Sequence, residues 1–193
     1  MLNPLEVLAL YPPHRDTLPS LLASRAAVIP ERVFMLYQGR TYTYAETVAY
    51  VERTAAMLAA RGVRAGDRIG VMSLNHPSTV FVLLALSRLG ATMAPVNPDY
   101  GVEEARYVLT HAQVSGVLCA PDALATVQAA CAGLRPAPWL MLNEAGEAGL
   151  AVFDDEVEEG IDRVQPASLN AHLSERFADD RLHFREAAEQ RIT

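Results

Sequence analysis

LSRLGATMAPVNPDY, residues 86–100, holds a whole chain junction in one short stretch. Leu86 to Leu89 complete an apolar helical run, and Gly90 offers the left-handed stop that ends helices. Thr92 to Val96 form a short run suited to a strand, and Asn97-Pro98-Asp99 turns the chain. Helix, stop, strand and turn follow one another without a spare residue. The same cycle extends outward on both sides.

Upstream, Arg68 to Ser73 predicts a strand that leads through Asn75-His76-Pro77 into VFVLLALSRL. That run is apolar nearly all round, so the spacing predicts a helix over 78–89 buried on several sides. Pro77 suits its first turn, since proline lacks the N–H that a helix start leaves orphaned. Further upstream, Val33 to Tyr37 and Arg40 to Thr43 read as a hairpin around Gln38-Gly39. Thr43 and Glu46 have the spacing of a capping box, in which each satisfies an amide at the start of the next helix. Val48, Val51, Ala55 and Leu58 share one face of that helix, and Gly62 closes it. Downstream come a helix over Glu103 to Ala112, a strand over Val114 to Ala120, a helix near Asp122 to Ala132 and a strand over Trp139 to Leu142. Strands alternating with helices of this length imply an α/β fold: a parallel sheet flanked by helices through right-handed crossovers, with a small N-terminal hairpin. No internal repeat is present.

The chain has 16 basic against 23 acidic side chains and a formal net charge of -7, which argues against nucleic acid or an anionic membrane surface as its main partner. Every basic group is arginine, because the sequence contains no lysine. The longest apolar run, Val80 to Leu86, is far short of the roughly 20 residues of a membrane-spanning helix. MLNPLEVLAL at the start lacks the basic region of a signal peptide, so the expected compartment is the cytoplasm. Cys119 and Cys131 are too far apart for a redox pair or a metal knuckle and are expected as core thiols. After Phe153 the composition turns acidic. Residues 1–153 are therefore expected to form one subdomain, and residues 154–193 an acidic loop with an amphipathic helical tail. Asp154, Asp155, Glu156, Glu158 and Glu159 read as a solvated loop, since the oxygen-ligand pattern of a cation loop is missing. Leu173, Phe177, Phe184, Ala188 and Ile192 recur at helical spacing in the tail, as expected of a helix lying on its own domain.

Neither a dinucleotide fingerprint, nor a phosphate-binding P-loop, nor a nucleophile elbow occurs. No catalytic residue and no metal ligand is assigned. The candidates for substrate binding are Asn75, His76 and Asn97, which lie where strands exit the sheet, the edge at which α/β proteins bind ligands. Each has a structural alternative. Asn75 is a good helix cap before Pro77, and Asn97 with Asp99 makes ordinary turn chemistry.

Three segments taken together, TYTYAE at 41–46, GVRAGDRIGVMSLNHP at 62–77 and LALSRLGATMAPVNPDY at 84–100, resemble the N-terminal part of the AMP-forming acyl-CoA synthetases. These belong to the adenylate-forming enzymes, with luciferases and the adenylation domains of peptide synthetases. The resemblance runs from about Thr17 to about Phe153. Tyr42 to Glu46 falls on the family's first core segment and Arg88 to Pro98 on its second, with Arg88 where lysine is common. It implies the N-terminal subdomain of the acyl-CoA synthetase-like fold, and a parent activity that ligates a carboxylic acid to CoA, as in fatty acid metabolism, using ATP and magnesium. It also implies a Ser/Thr/Gly-rich loop ending in Pro-Lys, a magnesium-holding acidic residue and a lysine on a mobile C-terminal domain. This chain supplies no member of that set. The expectation is therefore a truncated, non-catalytic N-terminal portion with no cofactor of its own. Its partner would be the missing C-terminal portion or a second copy, as in a dimer. A free-standing interaction module and a small-molecule binder without turnover remain the alternatives.

Overall fold

The computed structural model describes residues 17–143 and Phe153. The expected acidic loop and amphipathic tail lie outside the described residues.

The chain enters through α1 (Leu18–Val28), which the sequence pattern did not announce. Thr17 caps it with a side chain accepting from Ser20 N–H, and Pro19 lies in the first turn. Leu22 is its one buried residue, so its apolar pattern is too thin to signal a helix. The hairpin follows as expected, with β1 (Val33–Tyr37) antiparallel to β2 (Arg40–Thr43). Gln38 and Gly39 both take positive φ at its tip, the backbone that tight hairpin turns require. In α2 (Tyr44–Ala60) the Thr43–Glu46 capping box is formed in both directions.

A four-stranded parallel sheet carries the rest, in the order β4-β3-β5-β6. Its strands are β3 (Arg68–Met72), β4 (Thr92–Pro95), β5 (Gly116–Cys119) and β6 (Trp139–Leu142). They are linked by α3 (Pro77–Leu89), α4 (Val102–Ala112), and a 3-10 turn at Pro121–Ala123 running into α5 (Leu124–Cys131). Gly90 closes α3 in the left-handed conformation, as its position in the opening junction implied. Three strands are shorter than their apolar runs suggested. β5 was expected over Val114 to Ala120, but parallel pairing with β3 spans only Ile69–Gly116 to Met72–Cys119, and a strand lasts no longer than its partner's ladder.

Helices cover both faces. On one, α4 and α5 pack together over Met72, Val117, Cys119 and Leu142, with Leu109 and Val127 fully buried between. Gly70 belongs to this face, because a Cβ there would meet Leu109 at 2.8 Å. Ile69 and Val71 alternate to the opposite side, where α2 and α3 pack together with α1 against them. Phe81, Val82 and Leu86 of α3 are buried, as the all-round apolar run required. Tyr50 stacks on Phe81 at 4.6 Å, and Tyr42 meets both rings edge-on.

Candidate functional site at the carboxyl edge of the sheet

The sheet reverses direction at its centre. From β3 the chain moves outward to β4, then returns across to β5 and on to β6, so β3 and β5 are neighbours whose onward connections diverge. Such a divergence, outside the carboxyl ends of the two strands, is the usual ligand position of this architecture. The loops facing it begin at Ser73, Asn97, Ala120 and Asn143.

His76 sits on the loop after β3, half-buried, with its ring edge-on to Tyr37 at 5.5 Å. It, and not Asn75, is the N-cap of α3: its Nδ1 accepts the Ser78 N–H at 3.3 Å and lies 2.7 Å from Ser78 Oγ. Pro77 explains the correction, because a proline in the first helical position makes the residue immediately before it the cap. Asn75 is exposed and has no part in the cap. Asn97 is exposed at the exit of β4, and its Oδ1 accepts the Asp99 N–H at 3.0 Å, the local turn its sequence allowed. The fold thus places Asn75, His76 and Asn97 at one edge of the sheet, on the exits of two adjacent strands.

Asn143 was not foreseen. It follows β6, is 1% exposed, and its Nδ2 donates to Ser73 Oγ at 2.9 Å, reaching across the end of β5. Ser73 Oγ donates in turn to the Leu74 carbonyl at 2.9 Å. A contact between residues 70 apart leaves no trace in local spacing. A lone Asn after an apolar strand was its only signal.

The N-terminus of α3 has spent its amides internally, Ser78 N–H on His76 Nδ1 and Thr79 N–H on the His76 carbonyl, so it offers a phosphate little. Among the described residues, glycines with positive φ lie at 39, 62, 66, 90 and 133. No group of three His, Cys, Asp or Glu side chains that could hold a metal occurs among the described residues. None of the described helices is long and apolar enough to cross a membrane.

The model of the AMP-binding enzyme family matches residues 22–172. The chain belongs to this family. A feruloyl-CoA synthase from Amycolatopsis sp is 36% identical over 132 residues, covering 68% of this chain and 26% of that protein. A long-chain-fatty-acid–CoA ligase from Bacillus subtilis (strain 168) is 33% identical over 119 residues, 58% of this chain and 21% of that protein. Among solved structures, one described as a long-chain-fatty-acid CoA ligase from Rhodopseudomonas palustris superposes with a TM-score of 0.68 at 27% identity, over 72% of this chain and 36% of that one. The chain thus corresponds to an N-terminal portion of adenylate-forming CoA ligases and spans about a quarter or less of the two curated relatives.

Proposed function

We propose that this polypeptide is the scaffold portion of an ATP-dependent, AMP-forming acid–CoA ligase of the cytoplasm, and that it does not form acyl-adenylate by itself. The observation that carries the reading is one of extent: 72% of this chain superposes on only 36% of the CoA ligase chain it resembles. The chemistry supports the second half. Adenylation brings an anionic carboxylate against an anionic α-phosphate, so preorganised cations and amide donors must offset the charge that crowds together. The chain has no lysine, and arginine's planar fork does not replace a compact ammonium that must approach a small reacting centre. The substrate class would be an organic carboxylic acid, like the acids in the names of the CoA ligases it resembles.

ATP–pyrophosphate exchange with short, medium, long and aromatic carboxylic acids tests the absence of activity. No exchange above a protein-free control is expected, and exchange that persists after removal of host ligases overturns the proposal. The scaffold role has its own test. Residues 17–143 replace the matching segment of the Amycolatopsis feruloyl-CoA synthase, and the folded chimaera is expected to keep adenylate formation. A folded but dead chimaera would count against a scaffold role.

Self-association is the second reading, favoured by Leu36 and Leu74, each 68% exposed, and Val33, 53% exposed. Light scattering on the purified chain decides it. A monomer at high concentration removes this reading and leaves the first intact.

A further inference from the structure

We infer that one ordered water molecule sits at the carboxyl edge of the sheet and donates to Asn143 Oδ1, and that Asn143 is the residue that positions the Leu74–His76 loop through Ser73.

The Asn143 carboxamide is buried, and only one of its ends is used. Nδ2 donates to Ser73 Oγ, while Oδ1 is shielded and meets no donor among the described residues. Turning the amide over does not help. A flip breaks the bond from Nδ2 and forces the Ser73 hydroxyl to abandon the Leu74 carbonyl in order to serve Oδ1, leaving Nδ2 stranded instead. One end therefore needs a guest in either orientation. In the orientation that keeps both bonds the guest must be a hydrogen-bond donor.

That requirement excludes the anions of the parent chemistry, since phosphate and carboxylate oxygens only accept. A cation is disfavoured as well, because no group of three His, Cys, Asp or Glu side chains that could hold one occurs among the described residues. The shielding of Oδ1 sets the size, and a water molecule with two to four polar partners is the usual occupant of such a position.

The positioning role follows from the relay. Asn143 fixes the Ser73 hydroxyl, and that hydroxyl holds the Leu74 carbonyl at the start of the loop bearing Asn75 and His76. The candidate site thus depends on a residue beyond the far end of the sheet.

The test uses the 193-residue chain. A crystal structure at a resolution that places waters is expected to show one bonded to Asn143 Oδ1. Water-to-amide magnetisation transfer in solution should show the same contact. Asn143→Asp keeps the acceptor and the water, whereas Asn143→Leu loses the water and raises hydrogen exchange several-fold at Ser78 and Thr79, whose amides are held by His76, with exchange in β5 unchanged. If Asn143→Leu fails to fold, Ser73→Ala supplies the relay test, with the same rise at Ser78 and Thr79 and the water retained. A backbone or side-chain donor from residues 144–152 bonded to Oδ1, a dry Oδ1, or unchanged exchange at Ser78 and Thr79 in both variants overturns the inference.

Discussion

Gly116 and Trp139 are register partners on β5 and β6, and a Cβ added to Gly116 would lie 2.0 Å from Cε2 of the indole. The glycine is the floor on which the Trp139 ring rests. Gly116→Ala must therefore displace a large ring at the start of β6, and overpacking of this kind costs about 1–3 kcal/mol. Urea denaturation should show the midpoint falling in Gly116→Ala and partly recovering in the double variant Gly116→Ala/Trp139→Leu. An alanine variant as stable as the parent would mean that the ring moves freely, against this packing.

The glycine's role shows where reading a sequence succeeds and where it stops. Elements bounded by their own turn chemistry were legible: Gly39 at the hairpin tip, Thr43 with Glu46 at the start of α2, Gly90 after α3. Their determinants lie within a few residues of one another. Strand ends were less so, because the ladder of a neighbour decides them, as β3 does for β5. The site was legible only as an edge. Asn75, His76 and Asn97 lie at the carboxyl ends of β3 and β4, yet the cap fell to His76 and the residue bridging the strand ends was Asn143. Nothing local distinguishes Asn143 from a surface turn residue. Its meaning comes from Ser73.

The capping box offers a clean energetic measurement. Thr43 Oγ1 accepts the Glu46 N–H at 3.2 Å, and Glu46 Oε2 accepts the Thr43 N–H at 2.7 Å. Thr43→Ala leaves an orphan amide at the head of α2 and should destabilise by about 1 kcal/mol, with Thr43→Ser close to neutral. Glu46→Gln keeps an acceptor at the same place and should cost less than Glu46→Ala. Equal effects of Ser and Ala at position 43 would show that the methyl group matters and the cap does not.

Arg106 acts as a clamp between two helices. From α4 its guanidinium donates to the Ala132 carbonyl at 2.8 Å and the Ala129 carbonyl at 2.6 Å, satisfying carbonyls at the end of α5. A cation at a helix C-terminus also meets the negative end of the macrodipole. Arg106→Ala is expected to destabilise by about 1.5–3 kcal/mol, the usual worth of hydrogen bonds to a charged group. Arg106→Lys should recover the charge term but not the forked geometry, and so fall between the two. Unfolding midpoints at low and high salt separate these contributions, since only the charge term is screened. If lysine restores full stability, the fork is irrelevant and charge alone holds α5.

The two thiols should respond to alkali differently from ordinary exposed cysteines. Burial pushes the Cys119 thiol up from 9.0 to about 12, with the nearby Cys131 and Asp122 adding to the rise. Cys131 is also raised by its burial, but Arg106 pulls it back. In the unfolded chain each thiol ionises near its ordinary value, so above pH 9 the unfolded state releases a proton that native Cys119 retains. The sign follows from that difference. The stability linked to Cys119 is fully present below pH 9 and drains away as the pH climbs toward 12, with a slope of at most about 1.4 kcal/mol per pH unit. Tyrosines titrate in the same range, so the informative comparison is the parent against Cys119→Ala. The variant should be less stable at neutral pH because a buried side chain is trimmed, yet lose less stability as the pH rises from 9 toward 12. An aromatic disulfide reagent at mildly alkaline pH gives the second measurement. Cys131, partly exposed, should label first, and Cys119 only at the rate of unfolding. Rapid labelling of Cys119 in the native chain, or parallel pH profiles for parent and variant, would place that thiol outside the sealed core between β5 and α5.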